Sequence, residues 1–279
     1  MKFKNRRNFD LRDIIFKDVI NKKFTAVIIS EEEGLLAGKE ILEEKGKEIG
    51  IKFLFLLEDA SQLKPGTVIA RFIARPKQIC ICEDNLIGLI SKYSGIATAA
   101  AVARQVSKEK IKIVCGAWKK MPTEVKPFIR RAVEVGGLKT RIVDKDFVYL
   151  DKNYIRMFGS IEKTLKSVEK MKDKIKAIQI RGETNLIEVE ALEAIGNGAN
   201  ILMIDTGRIK DVQKVLYVLE KENKRNLVKV AFAGNIKISE IDELTNFDID
   251  ILDIGRQIID APLLDMSLDV ISEFNKENL

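Results

Sequence analysis

The 279-residue chain reads as an α/β protein in two parts, an N-terminal α/β sandwich and a C-terminal α/β barrel. Three observations predict this. Ahead of Pro76, short β-branched and aromatic runs are split by turn signals around one helical stretch. From Ile111 onward, short apolar runs alternate with helical patterns, which means βαβ units and a parallel sheet. About six such units in roughly 150 residues fit a closed barrel better than an open sheet. The expected division is residues 1–110 and residues 111–261, with a C-terminal helix over 262–279 completing the first part.

In the first part, Phe24–Ile29 reads as a strand, Glu32–Glu48 as a charged helix and Ile51–Leu57 as a second strand. Lys64-Pro-Gly66 is a turn signal, and Thr67–Ala74 follows as a strand. Cys80 and Cys82 sit two apart in an apolar run and would share one face of a strand. Asn85–Val106 is a long apolar-periodic helix whose Ser94-Gly-Ile-Ala-Thr98 segment allows close packing. In the second part the strand candidates are Ile111–Gly116, Phe147–Leu150, Ala177–Arg181, Leu186–Glu190, Ile201–Asp205, Val228–Ala233 and Ile249–Gly255. Helix candidates are Thr123–Val135, Ile161–Lys174, Val189–Ile195, Ile209–Lys221 and Ser239–Thr245.

Composition narrows the chemistry. Apolar residues at 46% and charged residues at 32% exclude a disordered tail, a collagen and a disulfide mini-protein. Histidine is absent, so no Ser-His-Asp triad, histidine base or histidine-ligated metal exists here. Three cysteines make no disulfide framework, and they read as small buried hydrophobes in a reducing cytoplasm. No apolar core follows the N-terminal MKFKNRRNFD, so no signal peptide is expected, and no uncharged apolar run suggests a membrane span. The net charge of +6 suits small anionic ligands. With one Trp and 6% aromatics, a base-stacking surface for nucleic acid is not expected.

In an α/β barrel the reactive groups lie at the C-terminal ends of the strands. Leu186–Glu190, taken as a strand, puts Glu188 and Glu190 on one face. Ile201-Leu-Met-Ile-Asp205 ends in a carboxylate. Two later strands end in Gly234-Asn235 and Gly255-Arg256, each ahead of a helix, where free N–H groups suit a phosphate. Trp118-Lys119-Lys120 before Pro122, with Arg130, Arg131, Lys139, Arg141, Lys145 and Lys152 after it, reads either as a solvated basic face or as an anion funnel for a polyphosphate.

These motifs together resemble the quinolinate phosphoribosyltransferase family over nearly the whole chain. Glu33-Gly-Leu-Leu-Ala-Gly38, Lys64-Pro-Gly66 and Leu89-Ile-Ser-Lys-Tyr-Ser-Gly-Ile-Ala-Thr98 carry the resemblance in the first part. Glu134-Val-Gly-Gly137, Ile187-Glu-Val-Glu190, Ile201–Asp205, Phe232-Ala-Gly-Asn-Ile236, Ile254-Gly255 and Ala261–Leu268 follow in the family's order. The resemblance implies a seven-stranded barrel, a homodimer or larger assembly, and phosphoribosyl transfer in NAD biosynthesis. A pyridine nitrogen would attack C1 of phosphoribosyl pyrophosphate, pyrophosphate would leave with Mg²⁺, and the nucleotide would lose CO₂. It further implies that Glu188 or Glu190, together with Asp205, stabilises positive charge and holds ribose hydroxyls. Gly234, Asn235, Gly255 and Arg256 would hold the 5′-phosphate, with Lys119, Arg141 and Lys152 on the anionic acceptor.

Some family positions differ. Trp118 stands where the family has arginine, Asp84 where it has the arginine of a Glu-Arg pair, Thr140 where it has histidine, and Asp151 where it has lysine, with Lys152 displaced by one. Each lost cation removes a charge-assisted bond of roughly 1.5–3 kcal/mol from a dicarboxylate. The expected acceptor is quinolinate or a related pyridine carboxylate. The alternative is a repurposed or inactive homologue that keeps a phosphorylated ligand.

Overall fold

The computed structural model describes residues 10–274. The reading of the N-terminal segment for a signal peptide falls on residues outside that range, apart from Asp10. Two compact units divide the chain, Met1–Thr98 with Pro262–Leu279, and Ala99–Ala261.

The first unit runs through α1 (Leu11–Ile15), β1 (Phe24–Ser30), β2 (Gly34–Leu35), α2 (Lys39–Ile49), β3 (Lys52–Leu56), β4 (Gln62–Leu63) and β5 (Val68–Ala74) into α3 (Pro76–Ser107). Helix α3 starts earlier than its periodic stretch. Pro76 is preset for a first helical turn, and the Arg75 N–H donates to Gln78 Oε1 at 2.9 Å. Cys80 and Cys82 are therefore on a helix and not on a strand, about 200° apart around its axis. Cys82 is fully buried, and the thiols are free. Helix α3 is long and apolar enough to cross a membrane by composition, but 56% of that window is buried inside the protein, as in a core helix.

The second unit alternates strand and helix: β6 (Lys112–Val114), α4 (Lys126–Val135), β7 (Phe147–Leu150), α5 (Lys152–Phe158), α6 (Ile161–Lys166), β8 (Ile175–Ile180), α7 (Ile187–Gly196), β9 (Ile201–Asp205), α8 (Ile209–Lys221), β10 (Lys229–Ala233), α9 (Ile241–Leu244), β11 (Ile251–Asp253) and α10 (Arg256–Ile259). Its six strands pair in parallel in the order β6-β11-β10-β9-β8-β7. The parallel α/β sheet is as expected, but seven-stranded closure is not seen. Among the described residues a seventh strand is reduced to one parallel bridge, Val114 to Lys139. The segment from Lys139 to Asp146 offers only Ile142 and Val143 as β-branched apolar residues, too few for a full ladder.

The chain then returns to the first unit as β12 (Met266–Glu273), antiparallel to β1 with Ile28 facing Leu268. Sheet order there is β12-β1-β5-β3. The expected C-terminal helix is thus an edge strand over its described part. Adjacent Val270 and Ile271 favour extended backbone, and the free edge of β1 supplies the ladder. The first unit's core gathers Ile28, Leu42, Phe72, Cys82, Leu86 and Met266.

Period-two alternation sets the inner face of the second sheet. Ala177, Ile201, Met203, Ala231 and Ile251 form its core with Phe147 and Tyr149 packed against it. One more step along the same face reaches Gln179, Asp205 and Asp253 at the strands' C-terminal ends.

Candidate active site

The strand ends of the second unit surround a cavity of about 880 Å³. Of the predicted residues, Lys119, Arg141, Asp205, Gly234, Asn235, Gly255 and Arg256 line it. Glu188, Glu190 and Lys152 do not, and each departure has a local cause.

The segment Leu186–Glu190 is the start of helix α7 and not a strand. Ile187, Ala191 and Ala194 recur at helical spacing and are buried, while Glu188 and Glu190 lie in the first turn, where acidic residues suit the helix dipole. Glu190 is only 2% exposed. Its carboxylate accepts from the backbone N–H groups of Arg181 (2.9 Å), Gly182 (2.7 Å), Thr184 (2.8 Å) and Asn185 (3.3 Å), and from Thr184 Oγ1 (2.8 Å). It is thereby the anchor of the loop after β8, with no lone pair left for a substrate. Glu188 is half-buried, with Oε2 lacking a hydrogen-bond partner among the described residues. Lys152 opens α5 behind its cap Asp151, and its backbone N–H donates to Gln179 Oε1 at 2.7 Å.

Asp205 is held from two sides. Gln179 donates its amide to Oδ2, and Arg181 Nη1 reaches the same oxygen at 2.9 Å. The Lys152 contact fixes which end of the Gln179 amide faces Asp205. Arg181 is itself oriented by Glu183, 2.9 Å from its Nε. A carboxylate so paired cannot rotate away, as a group facing developing positive charge requires.

Sequence reasoning missed Asp253, Tyr149 and Gln179. The signal was present as the i, i+2 step from Ile251 to Asp253 and from Phe147 to Tyr149. Asp253 accepts from the Gly116 N–H at 2.9 Å. It is partly open to the cavity but packed on its other sides, and this burial pushes its carboxyl above the ordinary value. Asp205 adds to that rise, while the Gly116 bond, Lys119 and Lys120 oppose it. Burial likewise raises the Tyr149 phenol, with Asp205 and Asp253 adding to the rise, so it stays protonated. Cys115, buried below the cavity, is pushed up to about 12 by burial and is no nucleophile at neutral pH.

Glycine is required at the turns that follow β10 and β11. Gly234 has φ 116° and Asn235 φ 61°, so the chain passes through left-handed backbone directly after β10. A Cβ on Gly255 would come within 2.8 Å of Ala117 Cβ. The helices that follow are shorter than expected: α9 and α10 have four residues each, so the positive helix ends foreseen there carry little dipole.

Three cations of the cavity wall lie over aromatic rings. Lys119 Nζ is 5.4 Å from the centre of Tyr149, Arg130 Cζ 4.9 Å from Trp118, and Arg141 Cζ 5.3 Å from Phe147. The Trp118 indole N–H donates to the Thr140 carbonyl at 3.1 Å, which fixes the ring as part of the wall. Tyr154, 43% exposed, is not part of this wall.

Two family models match in tandem: the quinolinate phosphoribosyl transferase N-terminal domain over residues 13–94 and the C-terminal domain over residues 96–269. A probable carboxylating nicotinate-nucleotide pyrophosphorylase of Archaeoglobus fulgidus is 29% identical over 258 residues, covering 90% of this chain and 95% of that protein. The corresponding protein of Rattus norvegicus is 25% identical over 257 residues, covering 89% of this chain and 82% of its own length. The solved structure of NadC from Streptococcus pyogenes superposes with a TM-score of 0.80 at 20% identity, over 96% of this chain and 93% of that one. Parallel strand order, acidic strand ends and tandem family matches lead to one assignment: the chain belongs to the quinolinate phosphoribosyltransferase family.

Proposed function

We propose that this protein transfers the phosphoribosyl group of phosphoribosyl pyrophosphate to a pyridine carboxylate, as a carboxylating nicotinate-nucleotide pyrophosphorylase in NAD biosynthesis. The observation that carries the reading is Asp205, clamped by Arg181 and Gln179 at the rim of a cavity that also holds Lys119, Arg141 and the Gly234 and Gly255 turns. The acceptor nitrogen forms a bond to C1 as the C1–O bond to pyrophosphate breaks, with the electron pair leaving on pyrophosphate. Positive charge on the ribose is greatest while both bonds are only partly formed, and a fixed carboxylate lowers its energy. Cationic side chains and backbone amides suit the two phosphate groups. Loss of CO₂ leaves its electron pair on the ring carbon, which then takes a proton.

Asp205, Asp253 and Asp260 are the carboxylates lining the cavity, and no cluster of three or more Cys, Asp or Glu that could cage a metal occurs among the described residues. This donor set fits Mg²⁺ arriving on the pyrophosphate, where it neutralises the leaving group. A cytoplasmic setting is part of the reading, supported by the free thiols Cys80, Cys82 and Cys115. So is a homodimer, supported by exposed Leu11, Ile14 and Ile15 on α1. Light scattering tests the assembly.

The test is direct. With quinolinate, phosphoribosyl pyrophosphate and Mg²⁺, the protein should form nicotinate mononucleotide, and Asp205→Ala should lower kcat/KM by about 100-fold or more. Calorimetry that detects no binding of phosphoribosyl pyrophosphate to the intact protein would remove the enzyme reading. The second reading, a repurposed homologue, rests on Trp118 in the cavity wall, and binding of phosphoribosyl pyrophosphate without turnover of any pyridine carboxylate would favour it.

A further inference from the structure

Trp118 is the chain's single tryptophan, and it stands in the wall of the cavity with two of its contacts already taken. Its N–H edge is tied to the Thr140 carbonyl at 3.1 Å. One face is covered by Arg130, whose Cζ lies 4.9 Å from the ring centre. Arg130 Nε is buried with no hydrogen-bond partner among the described residues, so the indole face is the contact this guanidinium has there. A ring held at one edge and backed by a cation is a preorganised surface. Its rotamer entropy is already lost, and the cation behind it favours an electron-rich or anionic ring in front.

The rest of this wall can supply one strong carboxylate contact. The Thr140 hydroxyl donates to Glu134 Oε1 at 3.0 Å, and its carbonyl is used by Trp118. Lys119 lies over Tyr149, Lys119 and Lys120 are both close enough to Asp253 for their charges to interact, and Arg256 Nε is paired with Asp260 at 3.2 Å. Arg130 is engaged by the indole. Arg141 remains, lying over Phe147 and lining the cavity, with one long bond of 3.5 Å from Nη2 to the Lys145 carbonyl and the rest of its planar N–H edge suited to a carboxylate.

We propose that Trp118, backed by Arg130, is the specificity-determining platform on which the acceptor ring stacks, and that Arg141 takes a single ring carboxylate. This rests on the phosphoribosyl-transfer reading and deepens it: the acceptor site selects a flat nitrogen-heteroaromatic acid by ring contact more than by the number of its carboxylates. A pyridine monocarboxylate then binds about as well as the dicarboxylate.

Being the sole tryptophan, Trp118 reports its own site. Nicotinate, quinolinate and nicotinamide are titrated into the full-length protein, with and without phosphoribosyl pyrophosphate and Mg²⁺, and read by tryptophan fluorescence and by calorimetry. Nicotinate and quinolinate should quench saturably with affinities within about tenfold of each other, and neutral nicotinamide should bind at least tenfold more weakly than nicotinate. Trp118→Ala should weaken the acid acceptors at least tenfold by calorimetry, Trp118→Phe should hold them within about threefold, and neither should move phosphoribosyl pyrophosphate affinity more than twofold. Melting curves identify an Ala variant that does not fold, in which case Phe against Leu at the same position decides. Quinolinate tighter than nicotinate by a hundredfold overturns the proposal, as does equal acceptor affinity in the Phe and Ala variants. If phosphoribosyl pyrophosphate binds but neither acid quenches, this inference is lost and the transfer reading stands. If phosphoribosyl pyrophosphate does not bind at all, the transfer reading itself falls.

Discussion

Gly207 and Gly234 meet backbone to backbone. A Cβ built on Gly207 would lie 2.2 Å from the Gly234 carbonyl oxygen, and one on Gly234 would lie 2.3 Å from the Gly207 nitrogen. The Gly207 N–H also donates to the Ala233 carbonyl at 3.0 Å. The loops after β9 and β10 are thus locked together, and Asp205 sits two residues before this contact. Gly234→Ala adds a methyl against backbone and imposes left-handed strain at φ 116°. It should cost about 2–4 kcal/mol, read as a lower chemical-denaturation midpoint with an unchanged m value. A variant as stable as the parent would show that the two loops can part.

Asp253 gives the protein a pH signature with a definite sign. Burial raises its folded-state carboxyl above the unfolded value of 3.8, so the folded state binds the proton more tightly. That contribution to stability is fully present below the unfolded value and is lost as pH rises through the folded one. Lys119, Lys120, Asp205 and the Gly116 amide face this group. Asp253→Asn keeps an oxygen for the Gly116 N–H and removes the titration. Its melting midpoint should exceed that of the parent at pH 7 and approach it near pH 3, in melts taken at intervals between. A variant less stable than the parent at pH 7 would show that the carboxylate is stabilising there.

On the phosphoribosyl-transfer reading, Arg181 and Gln179 act on substrate through Asp205. Arg181→Met should lower kcat by about 10- to 100-fold with a smaller change in the KM for phosphoribosyl pyrophosphate. Gln179→Leu should do less, because the charged donor to Asp205 Oδ2, Arg181, remains. Steady-state kinetics on both variants test the order, and equal losses would mean that Gln179 has a role of its own.

Glu190 should behave as a structural residue. Replacing it by Ala strands five N–H and O–H donors in the loop after β8, at a cost of about 3–5 kcal/mol. Hydrogen exchange should rise at Gly182, Thr184 and Asn185 before it rises in the sheet. An Ala variant with parental stability and no activity would return Glu190 to the substrate.

Much of the fold was legible along the chain. Strands Phe147–Leu150 and Ile201–Asp205 and helix Ile209–Lys221 have the bounds their patterns suggest. Errors fell where short patterns are degenerate. Ile-Glu-Val-Glu alternates like a strand but is also an acidic first turn, and only Ala191 and Ala194 further on decide for the helix. The segment of Cys80 and Cys82 is apolar enough for a strand, and the Pro76 start turns it into helix. The end of the chain became strand β12 because a partner edge on β1 was available, which no local pattern states.

By itself the sequence determined the repeating parallel α/β architecture, the absence of histidine chemistry, and the glycine and acidic strand ends that carry the family's order. Tertiary structure alone decided which carboxylates share the cavity. Alternation assigns a residue to a face, but parallel pairing of Ala233 with Asp205 and of Asp253 with Val114 is what brings those ends around one opening. The same packing buried Glu190 under five donors and placed Trp118 between Thr140 and Arg130. Burial and partner geometry are properties of segments far apart in the chain, so the side chains' roles were set only when those segments met.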